Sequence, residues 1–127
     1  MNILVDTNRY TDFAKGDQDT VRVFTEADHI YLPFVALAEL RAGFACGKIA
    51  RQNEATLVKF LNNKRVSVLY ADARTTQVYA EIFAQLREQG TPIPTNDIWI
   101  AALAIQYALP LCSREQHFEH LSQLARV

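Results

Sequence analysis

The chain has 127 residues, half of them hydrophobic, which is enough for one packed core and too little for two. Its formal net charge of −1 sets up no strong overall field for a polyanionic partner. Four Gly and four Pro, with no repeat or low-complexity stretch, leave no linker, so residues 1–127 are read as a single domain. The longest apolar run, Ile98 to Ile105, is too short to span a bilayer, and Asp6 interrupts any apolar leader; a cytoplasmic protein with no membrane association is expected.

The opening Asn2-Ile3-Leu4-Val5-Asp6 predicts a buried strand ending on an acid, with a helix from Thr7. Asp17 to Ala27 reads as a second helix, apolar at Val21, Val23 and Phe24, and His29 to Leu32 as the next strand. Pro33 suits the first turn of a helix running through Val35, Leu37, Leu40 and Phe44. Lys48 to Lys64 is amphipathic, with Leu57, Val58, Phe60 and Leu61 on its apolar side, and Val66 to Leu69 is a third strand.

Asp72 can cap a long helix in which Val78, Ile82, Phe83 and Leu86 recur at helical spacing, and Gly90 ends it. Ile98 to Ala108 is apolar nearly all round and must be buried; Leu109 to Cys112 is a short strand, and Ser113 with Gln116 has the form of a capping box opening a last helix. Strands alternating with helices predict an α/β fold. The expected arrangement is three layers, α/β/α, around a mostly parallel sheet of about four or five strands.

Four acids sit in unexpected places. Asp6 ends an apolar strand, where it can cap the following helix or serve a site at the carboxyl edge of the sheet. Glu39 lies among Val35, Ala36, Leu37, Ala38 and Leu40, and its helical neighbours supply no cation. Asp97 opens the most apolar helix, which Thr95 or Asn96 can already cap. Glu115 follows Ser113 as an ordinary first-turn residue would. Together they suggest one site, because two carboxylates about 5 Å apart repel by roughly 3 kcal/mol at an effective dielectric near 20, and a divalent cation removes that strain.

Other chemistry is less favoured. Cys46 and Cys112 lie outside any CxxC spacing and read as reduced thiols; His117 and His120 are three apart, but no second Cys/His pair accompanies them to hold zinc. A phosphoryl-accepting receiver would carry adjacent acids after the first strand and a late Lys, and here no Lys follows Lys64. Residues 41–65 hold six basic side chains against the single acid Glu54. They form either the solvated faces of two helices or a surface for a phosphate backbone.

Three segments, Ile3-Leu4-Val5-Asp6-Thr7-Asn8, Val35 through Gly43 and Asn96 through Ala104, follow one another in the order seen in PIN domains. The chain resembles the VapC-type toxin ribonucleases over its full length. The resemblance implies a PIN fold and a Mg²⁺-dependent endoribonuclease, with Mn²⁺ able to substitute, in which Asp6, Glu39 and Asp97 match the family's first three acids. The fourth usually stands in Thr/Ser-x-Asp; here the place reads Ser113-Arg114-Glu115, and the longer Glu bears on a second ion more than on the first.

Asn8 and Ser113 are carried over as polar groups beside the acids. Arg9, Lys15, Arg41, Lys48 and Arg51 are the candidates for positioning RNA. The implied partners are the RNA, a cognate antitoxin and a second copy of the chain. Three alternatives stand beside this reading: a non-toxin PIN domain that processes RNA, one that cleaves DNA, and an inactive PIN-like scaffold.

Overall fold

A computed structural model describes all 127 residues. Four strands, β1 (Asn2–Val5), β2 (His29–Pro33), β3 (Val66–Leu69) and β4 (Leu111–Cys112), line up in the order β3-β2-β1-β4, every pairing parallel. Six helices connect them: α1 (Thr7–Ala14), α2 (Gln18–Glu26), α3 (Phe34–Ala45), α4 (Ala50–Leu61), α5 (Ala73–Gln89) and α6 (Thr95–Gln106). The expected α/β class and parallel sheet are observed, with four strands.

Side chains alternate across a strand, and the sheet uses both faces. Ile3, Val5, Ile30, Leu32 and Cys112 point into a core shared with Tyr10, Phe24, Leu40 and Leu57 from α1 to α4. Leu4 and Leu111 point the other way, into a core made by α5, α6 and the C-terminal residues Phe118, Leu121 and Leu124. This explains why β1 is a continuous apolar run rather than an alternating one. Helix α6 lies on the second face with Ile100 through Leu103 wholly inaccessible, as its composition required.

Element boundaries shift where side-chain chemistry competes. Pro33 closes β2 in register with Leu69 and caps α3 in extended conformation, instead of lying in the helix. Asp72 and Thr75 form a reciprocal capping box, and Gly90 ends α5 at φ 71°, a left-handed conformation that glycine accepts readily. The strand expected from Leu109 shortens to Leu111–Cys112 because the Leu109 amide is spent on the Ala104 carbonyl.

The last helix is a correction. Gln116–His120 forms only a 3-10 turn, capped by Glu115, because the Ser113 hydroxyl oxygen accepts from the Glu115 amide and not from that of Gln116. Leu57, Phe60 and Leu61 face the core, leaving Val58 exposed. Both cysteines are free, Cys46 exposed and Cys112 buried. No helix is long and apolar enough to cross a membrane.

Candidate active site

The parallel order puts the carboxyl ends of β1 and β4 side by side, and the segments leaving them carry two of the acids. Asp6 follows β1, is 5% exposed, and caps α1 by accepting from the Thr7 amide at 2.7 Å on Oδ1. Its Oδ2 accepts from the Ser113 hydroxyl at 2.9 Å. That hydroxyl in turn accepts from the Glu115 amide at 3.0 Å, fixing the loop after β4 against the end of β1.

Asp97 comes from the first turn of α6. Pro94, whose ring has no hydrogen-bonding group, occupies the cap position, so neither Thr95 nor Asn96 caps the helix. The Asp97 carboxylate is left to bond His117 Nδ1 at 2.8 Å on Oδ2, and Nδ1 also stands 3.2 Å from Glu115 Oε1. Glu39 projects from α3, exposed as a residue but with its carboxyl partly sheltered.

Three of these carboxyls hold their protons above the ordinary carboxylate range. For Asp6 the main cause is burial, opposed by the Thr7 and Ser113 hydrogen bonds and reinforced by the charge of Glu115. For Glu39 it is burial, then the charges of Asp6 and Asp97. Burial also raises Asp97; the His117 bond pulls it back, and the Asp6 and Glu115 charges add to the rise. Each of these three acids therefore feels at least one other of the set, although α1, α3, α6 and the β4 loop are scattered along the chain.

The donor set suits a hard divalent cation. No three Asp, Glu, His or Cys side chains already enclose an ion as they stand, so some coordination would pass through water. One observation favours that arrangement: Thr7 Oγ1 is buried with no hydrogen-bond partner, while close enough to Glu39 to lower its pKa. A hydrated ion beside Asp6 and Glu39 would give this orphaned hydroxyl a water to bond.

The other candidates divide. The Asn8 side chain hydrogen-bonds none of the four acids; its Oδ1 accepts from the Arg114 amide at 3.4 Å and ties α1 to the β4 loop. Arg9 and Arg114 both pair with Asp12, at 3.4 and 2.9 Å. Arg41 is engaged bidentately by Glu54, at 2.9 and 3.1 Å, bracing α3 against α4. Lys15, Lys48 and Arg51 are exposed and unpaired. Arg41, Arg51, Phe44 and Val58 line an open groove of about 690 Å³ that contains none of the four acids.

Two participants were not foreseen. The sequence marks His117 only by its three-residue spacing from His120, and it does not single out Arg126. Arg126 donates to the carbonyls of Ser113 at 2.6 Å and Glu115 at 3.1 Å. A Gln-His-Phe run carries no signal of such a role by itself. Only the return of the chain beneath α6 reveals it.

Residues 3–124 match the PIN domain family. Ribonuclease VapC5 of Mycobacterium tuberculosis is 33% identical over 103 residues, covering 79% of this chain and 74% of the relative. The chain belongs to the VapC-type PIN domain family. VapBC2 from Rickettsia felis, solved bound to a DNA fragment from its promoter, superimposes on this PIN domain with a TM-score of 0.86 at 25% identity, covering 100% of this chain and 98% of that one. VapBC-1 from nontypeable Haemophilus influenzae gives 0.85 at 25% identity over 100% and 97% of the two chains.

Proposed function

We propose that this PIN domain, acting as one unit over residues 1–127, is an endoribonuclease toxin that requires Mg²⁺, with Mn²⁺ able to substitute. The observation that supports it best is the elevation of Asp6, Glu39 and Asp97, first by burial and then by acids of the same set: Glu115 acts on Asp6, Asp6 and Asp97 on Glu39, and Asp6 and Glu115 on Asp97. Such groups gain from sharing a cation, and perturbed carboxyls in a cluster are a functional signature. Asp6, Glu39, Asp97 and Glu115 would hold the ion. When bound, the ion supplies the positive charge that lowers the pKa of an attacking water and offsets charge on the phosphodiester.

The remaining steps belong to the chain. Thr7 and Ser113 keep Asp6 available as a carboxylate despite its burial, since both donate to its charged form. Lys15, Lys48 and Arg51 offer free cationic ends to RNA phosphates, whereas Arg41 must first leave Glu54. In-line attack by water on phosphorus, with O3′ as the leaving oxygen, leaves a 5′-phosphate and a 3′-hydroxyl. Attack by the ribose 2′-hydroxyl would leave a cyclic phosphate instead.

The partners follow from kinship. Solved relatives carry the name VapBC, one of them as a member of the VapBC family of toxin–antitoxin systems, and a cognate antitoxin, a second copy of the chain and a cytoplasmic setting are proposed here on that basis. The test is incubation of structured RNA with the purified chain and Mn²⁺, followed by analysis of fragment ends. Fragments with 5′-phosphates that disappear with EDTA and with Asp6→Asn support the reading. Cyclic phosphates, equal cleavage of single-stranded DNA, or no cleavage by either protein would each overturn it.

A further inference from the structure

The imidazole of His117 joins two acids contributed by separate elements. Nδ1 lies 2.8 Å from Asp97 Oδ2 and 3.2 Å from Glu115 Oε1, and the His117 main-chain amide also donates to Glu115 Oε1 at 3.3 Å. A ring nitrogen facing two carboxylate oxygens must carry a hydrogen, because a bare lone pair would meet theirs. Nδ1 is therefore the protonated nitrogen. His117 is also the one side chain that hydrogen-bonds Asp97.

We propose that His117 is a positioning residue that holds Asp97 and Glu115 in the geometry needed to bind a shared divalent cation, contacting the acids and not the ion. The inference rests on the acidic site described under Proposed function. By occupying Oδ2, the imidazole fixes the Asp97 rotamer and leaves Oδ1 free to ligate. It also offsets the repulsion by which Glu115 raises Asp97. The ring cannot drift far, since the next residue, Phe118, is fully buried in the core. His120, three positions on, is exposed and forms no side-chain bond, which makes it an internal comparison.

Groups that orient metal ligands commonly change metal affinity by about 10- to 100-fold when removed. The experiment is calorimetric titration of the full chain with Mn²⁺, alongside thermal unfolding of the metal-free protein, for the wild type, His117→Ala, His117→Asn, His120→Ala and Asp97→Asn. The expected result is a Kd raised about 10-fold or more in His117→Ala. His117→Asn should recover most of that loss, because its amide nitrogen is separated from Cα by the same number of bonds as Nδ1. His120→Ala should match the wild type.

Mn²⁺ binding as tight or tighter in His117→Ala would overturn the proposal. So would a His117→Asn variant of native stability that binds no better than His117→Ala, which removes any ambiguity from a misfolded alanine variant. Equal Mn²⁺ binding by wild type and Asp97→Asn, or none by either, would instead sink the acidic-site reading, and this inference with it.

Discussion

Ser113 donates its hydroxyl to Asp6 Oδ2 at 2.9 Å, joining residues 107 positions apart at the point where β1 and β4 end together. Asp6 is buried, and its charged form depends on this bond and on the Thr7 amide. Replacing Ser113 by Ala leaves one carboxylate oxygen without a donor. Loss of a partner from a buried acceptor costs about 1–3 kcal/mol. Ser113→Ala should lower unfolding stability at pH 7 by that amount in urea titration and raise the Asp6 pKa further. The acid limb of any activity profile should move to higher pH.

Glu39 makes the opposite case, since the nearby Thr7 hydroxyl is the one group that favours its ionisation and burial with two acid charges outweighs it. Its pKa is raised in the folded state by burial and by Asp6 and Asp97, from the ordinary 4.5. Below 4.5 the group is protonated whether folded or not, and contributes nothing. Between 4.5 and the raised folded value the native state binds the extra proton, so stability falls as pH rises; above both values the full cost remains. Glu39→Gln should therefore stabilise the metal-free protein near neutral pH, by about 0.2–1 kcal/mol given its exposure. The gain should vanish on acidification below pH 4.5. A gain that persists there in denaturant titrations would show that charge is not the cause.

Much of this was legible in the chain. A buried parallel strand reads as a continuous apolar run, so β1 and its terminal Asp6 were plain, and the all-round apolarity of α6 left Asp97 conspicuous at its first turn. What the sequence could not disclose were bonds decided by tertiary return. Ser113 looked like a helix cap because its neighbours fit that pattern, yet Asp6 claims its hydroxyl. Arg65 looked like part of a basic face, but its guanidinium donates to the carbonyls of Phe24 and Ala27, at 3.2 and 2.6 Å. His117 carried little local signal, since only the fold brings Asp97, twenty positions away, to its ring beside the neighbouring Glu115.

The basic stretch accordingly separates into two classes with different readouts. Arg65→Ala removes charged hydrogen bonds to two carbonyls at the end of α2 and should lower stability by about 1–2 kcal/mol. It should leave the salt dependence of RNA binding unchanged. Lys48→Ala and Arg51→Ala should do the reverse, with stability within about 0.5 kcal/mol of wild type. Each should reduce the slope of log K against log salt by about 0.7 for single-stranded RNA. A salt series of RNA affinities for the three variants tests this, and an altered slope in Arg65→Ala would contradict the assignment.

Arg126 provides the last test, because it grips the loop that carries both Ser113 and Glu115 without touching either side chain. Its guanidinium donates to the two carbonyls and lies 5.9 Å from the centre of the Phe118 ring, within cation–π range. A parallel bridge between Leu111 and Arg126, closed by the Leu111 amide on the Ala125 carbonyl and the Val127 amide on the Leu111 carbonyl, keeps it in place. Arg126→Ala should therefore loosen the loop and cost about 1–3 kcal/mol. Faster amide hydrogen exchange should appear at Glu115 and His117, whose amides bond within that loop. Both bonds leave one nitrogen, Nη2, so Arg126→Lys can also donate twice, but its stem is one bond shorter and it has no planar guanidinium over Phe118; it should recover only part of the protection. Unchanged exchange in Arg126→Ala would mean that the Ser113 hydroxyl network holds the loop unaided.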